Sequence, residues 1–226
     1  MPQRLTALYG FLGAGILLVG CVLPICFYRE PSGACYSCLN HFISELGRPR
    51  SSPQAAVFNA GIVLGGMLIA AFMIGLGKYY RTKLGYAAAT AGVLGGLACC
   101  GTGLVPITHL MPHLAIAVIF FYGAWIAFAL FGLVFTRDQQ NRLPHWLALP
   151  SIATVLCFAA FLASPLFAGH IALASIQTRH FIRPAIWPAA WLEWLVLAAI
   201  ILWLVLVAGC LHKRQHHKLA APALRA

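Results

Sequence analysis

Six apolar stretches, each about 20 residues long and so able to cross a hydrocarbon core of about 30 Å, decide most of what this chain can be. They fall at 5–28, 55–77, 84–106, 113–135, 144–168 and 188–211 of 226 residues. In lipid every backbone N–H and C=O must be satisfied within the protein, so runs of this length predict helices. The expected fold is all-α: a polytopic bundle of six transmembrane helices over 1–211, followed by a basic tail, 212–226, expected to be disordered after its first turn. With 62% hydrophobic and only 8% charged residues, against about 25% charged in soluble domains, the chain leaves no room for a soluble domain.

Lys and Arg number 15 and Asp and Glu only 4, a formal charge of +11. In so apolar a chain this excess reads as topology and as attraction to anionic headgroups, and no nucleic-acid module is visible. With the N-terminus inside, the cytoplasmic segments hold Arg4, Lys78, Arg81, Lys83, Arg137, Arg142, Lys213, Arg214, Lys218 and Arg225, leaving Arg29, Arg48, Arg50, Arg179 and Arg183 outside. The positive-inside rule therefore places both termini in the cytoplasm and the two long connections, 29–54 and 169–187, outside. A multi-pass protein of the plasma or inner membrane is expected, with membrane lipids as partners, no nucleic acid and an open oligomeric state. "LVGC", ending at Cys21, resembles a lipoprotein cleavage box, but the apolar run continues past it, so an uncleaved helix is expected.

Glycine pairs four apart, Gly61 with Gly65 and Gly92 with Gly96, allow close approach of helix backbones where the hydrophobic effect cannot drive association. Trp187, Trp191 and Trp194 gather at the start of the last span, where indole rings suit the interface.

The candidate chemistry lies at the outer boundary. His41 and Glu45 are four apart, and a helical turn would put them on one face. His113 follows Pro112, which suits a first helical position, with His109 just before. Glu193 stands about five residues into the last span, roughly 8 Å below its end. An acid there is a functional-site hypothesis, because burying it unpaired costs several kcal/mol. Its candidate partners are His170, Arg179, His180, Arg183 and the His41/Glu45 pair. Such a cluster could act as a general acid/base pair on a headgroup, hold a metal, or pin the long loops. There is no H-E-x-x-H, no G-x-S-x-G elbow and no phosphate loop, so neither a metal nor a cofactor is expected. Arg48 and Arg50 carry forked guanidinium groups suited to lipid phosphate.

Two blocks carry a family resemblance. "FISELGRPRSSPQAAVFNAGIVLGG" presents Ser44, Glu45, Leu46, Gly47, Pro53, Ala55, Phe58, Asn59 and Gly61, and "GLVPITHLMPHLAIAVIFF" presents Gly103, Pro106, His113, Phe120 and Phe121. These resemble the membrane family catalogued as domain of unknown function 998, and the likeness extends over about residues 5–211. Before the last helix "TRHFIRPAIWPAAWLEW" stands where that family's pattern has a Glu-Arg pair. The family is distantly similar to eukaryotic membrane proteins of the Frag/DRAM type, some linked to lipid-anchor remodelling and lipid organisation, which implies a lipid-related role. On these grounds Glu45, His41 and His113 are the candidate catalytic residues, and Ser44, Arg48, Asn59, His109 and Glu193 the candidate ligand-binding residues for a lipid or other amphipathic molecule.

A second class of function stays open. Cys35 and Cys38 form a C-x-x-C in the first long connection, with Cys26, Cys99 and Cys100 toward the same side. A membrane thiol-disulfide protein would use such a pair, although a lone C-x-x-C is a weak motif and a structural or scaffold role for the bundle is also open.

Overall fold

A computed structural model describes residues 1–30, 33–168 and 183–223, with side chains up to 164 and from 183 to 215. The six apolar runs become α1 (Gln3–Ile25), α2 (Ala55–Tyr80), α3 (Lys83–Leu104), α4 (Leu110–Thr136), α5 (Ala148–Ala168) and α6 (Pro188–Ala223), joined by two short 3-10 helices at Ile43–Gly47 and His145–Leu147. All six are long and apolar enough to cross a membrane. The described residues form no β-strand, only an isolated bridge between Arg29 and Cys35.

Two boundaries differ from expectation. α4 begins at Leu110, so Pro112 lies within the first turn and not at its opening position. The first four helical N–H groups lack intrahelical partners, so proline is tolerated across that whole turn. α6 runs on to Ala223 instead of ending near residue 211, through a tail of Lys, Arg, Gln, Leu and Ala that favours helix. The α2–α3 connection is only Arg81 and Thr82: Arg81 takes the left-handed conformation at φ 52°, and the Thr82 hydroxyl accepts the Gly85 N–H at 3.0 Å.

The helices form a closed ring in which each packs on the next and α6 returns to α1. Glycine makes the tightest crossings possible. A Cβ on Gly61 would lie 2.8 Å from the Gly20 Cα, and one on Gly66 would lie 2.6 Å from the Gly96 carbonyl oxygen. These contacts fix α1 on α2 and α2 on α3 with backbone nearly touching backbone.

The ring is filled unevenly. Toward the end that carries the termini, Phe72, Phe131, Phe135 and Trp203 are fully buried and pack edge-on or tilted around the Trp203 indole. The indole N–H donates to the Ser151 hydroxyl at 2.8 Å, which satisfies its polar atom inside the plug. Toward the opposite end the ring is hollow and is covered by the long connection between α1 and α2.

Candidate functional site

That connection is built as a cap. Residues 26–30 and 33–54 turn back over the ring, with the Arg29 N–H donating to the Ser51 carbonyl and the Glu30 N–H to the Ala34 carbonyl, both at 2.8 Å. The Tyr36 hydroxyl donates to the carbonyls of His41 and Phe42 and accepts the Trp194 indole N–H at 3.1 Å. The Trp187 N–H donates to the Leu39 carbonyl, and its ring packs edge-on against Phe42. Two of the three tryptophans expected at the lipid interface therefore tie α6 to the cap, and Trp187 is only 6% exposed.

One arginine gathers the two acids of the cap. Arg183 Nη1 and Nη2 donate to the two oxygens of Glu45 at 3.2 and 2.8 Å. Its Nε and Nη2 reach Glu30 Oε1 at 2.9 and 2.8 Å, and Nη1 also donates to the Asn40 carbonyl at 2.6 Å. Glu45, wholly buried, receives the Phe42 N–H at 2.9 Å as well. Burial alone would raise the Glu30 carboxyl, but the charges of Arg183 and His41 outweigh it and hold it below its ordinary value. Every oxygen of Glu45 is thus matched by a donor, which a buried carboxylate requires.

His41 completes the cluster. Its Nε2 lies 3.0 Å from Glu30 Oε1. At Nδ1 three partners compete: the Ser37 N–H at 3.2 Å suits the neutral ring, and the Ser37 carbonyl at 3.2 Å and Asn40 Oδ1 at 2.7 Å suit the cation. Burial, reinforced by the Arg183 charge, pushes the imidazole below its ordinary value despite Glu45 and Glu30, and so favours the neutral ring. Ligand atoms of Glu30, His41 and Glu45 lie within 4.8 Å of one another, close enough to share a metal. The guanidinium of Arg183 already occupies the same carboxylate oxygens, so a cation would have to displace it.

Beneath the cap is a narrow cavity of about 100 Å³ inside the ring, lined mostly by apolar side chains of α1, α2, α3, α4 and α6. A few polar groups break that lining: Ser44, Thr102, His113 and Glu193. Glu193 Oε2 accepts the Ile43 N–H at 2.7 Å. The Nδ1 of His113 lies 2.6 Å from the Val105 carbonyl, an oxygen that can only accept, so Nδ1 carries a proton and Nε2 in the neutral ring is an acceptor. The Thr102 hydroxyl spends its proton on the Cys99 carbonyl at 2.7 Å.

The candidate residues therefore divide. His41 and Glu45 come together, through Glu30 and Arg183 and not through a shared helical turn, because Phe42 is extended and the 3-10 helix starts only at Ile43. His113, Ser44 and Glu193 line the cavity, which Glu45 does not. Asn59 Nδ2 donates to the Gly47 carbonyl at 3.3 Å and so seats the cap on α2. Exposed His109 accepts the His113 N–H on its carbonyl, and Arg48 closes the 3-10 helix with its N–H on the Glu45 carbonyl. Of the partners proposed for Glu193, Arg183 pairs with Glu45 and Glu30 instead, while His170, Arg179 and His180 lie outside the described residues. Glu30 was missed; the signal available was scarcity, since any of only 4 acids facing 15 cations is worth pairing. Cys35 and Cys38 are exposed thiols, and burial pushes Cys38 up, away from the thiolate that exchange chemistry uses.

No curated protein and no solved structure matches this chain. The family model described as "Protein of unknown function (DUF998)" matches residues 11–210. A match across nearly the whole ring, cap and cavity included, makes this chain an integral membrane protein that belongs to that family.

Proposed function

We propose that this protein binds a lipid or similar amphipathic molecule, its apolar chain in the capped cavity and its polar end against Glu193, His113 and Ser44. The cavity carries the reading: a slot lined mainly by Leu, Ile, Phe, Met and Gly, with an intramembrane acid and an acceptor imidazole on its wall. A carboxyl group and an acceptor imidazole Nε2 favour a polar end that donates hydrogen bonds, such as a hydroxyl or an amine. Glu45 and His41 then serve as the latch of the cap and not as the acid/base pair. If a bound lipid is also chemically altered, His113 Nε2 is the group placed to take its proton.

The test is native mass spectrometry of the protein extracted with its surrounding lipids, comparing wild type with Glu193→Gln and Ala117→Phe. Glutamine keeps an oxygen for the Ile43 N–H while exchanging the other carboxyl oxygen for an amide, and phenylalanine fills the slot. The expected result is a defined amphipathic species retained by wild type, weakened about tenfold by Glu193→Gln, one good hydrogen bond, and lost from Ala117→Phe. Equal retention in all three proteins would overturn the reading.

A further inference from the structure

The opposite end of the ring holds a second concavity, open and polar, of about 460 Å³. Lys78 and Arg81 from the end of α2, Arg142 from the α4–α5 connection and Arg214 from α6 all line it, with Tyr79 and Gln140 between them. Of these four cations only Arg142 meets an acid among the described residues. Asp138 accepts its backbone N–H at 2.6 Å and its Nη1 at 3.2 Å, and does not itself line the pocket.

Arg81 and Arg214 are held by groups that leave their charge unspent. Arg81 Nε donates to the Lys78 carbonyl at 3.3 Å, and Arg214 Nη1 donates to the Asn141 carbonyl. The Tyr79 hydroxyl donates to the Arg142 carbonyl at 2.9 Å, and the Arg142 guanidinium sits 5.8 Å above the Tyr80 ring. Carbonyls and rings orient the cations without neutralising them. Topology explains why Lys and Arg collect at one end of a membrane protein; it does not require them to converge on one pocket.

We infer that this pocket is a binding site for a phosphate-bearing anion, with Arg142 and Arg214 offering guanidinium forks and Lys78 and Arg81 the surrounding positive field. Forked guanidinium groups match two phosphate oxygens at once, and basic pockets between membrane helices suit anionic headgroups. The site is separate from the capped cavity and stands whether or not that cavity binds anything. The same chemistry could come from an anionic lipid entering from the bilayer or from a free phosphate compound in solution.

The experiment uses the full chain in nanodiscs of phosphatidylcholine, with and without phosphatidic acid, and the triple variant Lys78→Gln/Arg81→Gly/Arg214→Gln. Native mass spectrometry counts retained phosphatidic acid, and calorimetry follows pyrophosphate added to the phosphatidylcholine discs. At about fivefold per cation, the triple variant should lose roughly a hundredfold in retention, while Lys83→Gln/Arg137→Gln, exposed cations that do not line the pocket, should lose nothing. The charge-preserving Lys78→Arg/Arg81→Lys variant, which leaves both guanidinium forks in place, should bind like wild type, which separates lost charge from lost fold. Retention of phosphatidic acid identifies the lipid as the source, and a pyrophosphate heat without it identifies a soluble anion. Binding of neither probe, or equal loss in the triple variant and in Lys83→Gln/Arg137→Gln, overturns the assignment.

Discussion

At the capped face two glutamates share Arg183 and the wholly buried Glu45 has every oxygen met by a donor, whereas at the terminal face four cations surround an open pocket and, among the described residues, only Arg142 has an acid. The same bundle uses charge for closure at one end and leaves it available at the other. The difference follows from burial. A carboxylate without water must be matched completely or not placed there, while a solvated cation at a membrane surface costs little to leave unmatched. Mutations at the two ends should therefore fail differently.

The largest effect is expected at the latch. Arg183→Met leaves Glu45 buried without its cation, and breaking a buried pair by removing one partner costs about 3–5 kcal/mol. Amide exchange across residues 29–52 should speed by orders of magnitude, with the C-terminal turns of α2 unaffected. If the cap stays as protected as in wild type, Arg183 is not what holds it. Gly61→Leu comes next. Its Cβ would sit 2.8 Å from the Gly20 Cα, and overpacking of this kind costs about 1–3 kcal/mol. Thermal melting in detergent should drop, with α1 and the cap loosening ahead of the aromatic plug around Trp203. A uniform loss of protection would show that the ring, and not the cap alone, rests on this crossing.

Acid should loosen the capped face by a smaller amount. His41 lies below its ordinary value of 6.5 in the folded protein, so the unfolded cap binds the proton more readily. The stability it contributes is present above 6.5 and is lost as pH falls from there through its folded value. Glu30, also depressed, adds a second loss as pH falls below 4.5. Exchange in the cap should rise in those two windows, and His41→Gln should abolish the first while keeping the second. A cap equally protected at pH 7 and pH 5.5 would mean that Asn40 Oδ1 stabilises the imidazolium as well as Ser37 stabilises the neutral ring.

The six spans were readable because periodicity and length in lipid permit little else, and the glycine pairs because close crossings need missing side chains. What could not be read was closure. Nothing local to Leu17, Gly95 or Ile200 says that they face one cavity, since that depends on α6 returning to α1. His41 and Glu45 were found as a pair for the wrong local reason: the loop places them together through Arg183, which lies 138 positions beyond Glu45. Glu30 went unnoticed because a lone acid in "FYREPSG" has no motif. Long-range ion pairs leave no periodic trace in a sequence; only the scarcity of acids hinted that each had a partner to find.

The smallest expected effect on stability is also the sharpest contrast between the two ends. Arg81 is exposed and adopts φ 52° just past α2, where glycine is the preferred residue because it pays no Cβ penalty. Arg81→Gly removes a pocket cation while easing that backbone, so thermal stability should stay within about 0.5 kcal/mol of wild type or rise slightly. Retention of phosphatidic acid should nevertheless fall about fivefold. At the latch, losing a cation costs stability; at this pocket, losing one should cost only binding. A marked fall in stability would place Arg81 in an unseen structural contact and remove the distinction between the two faces.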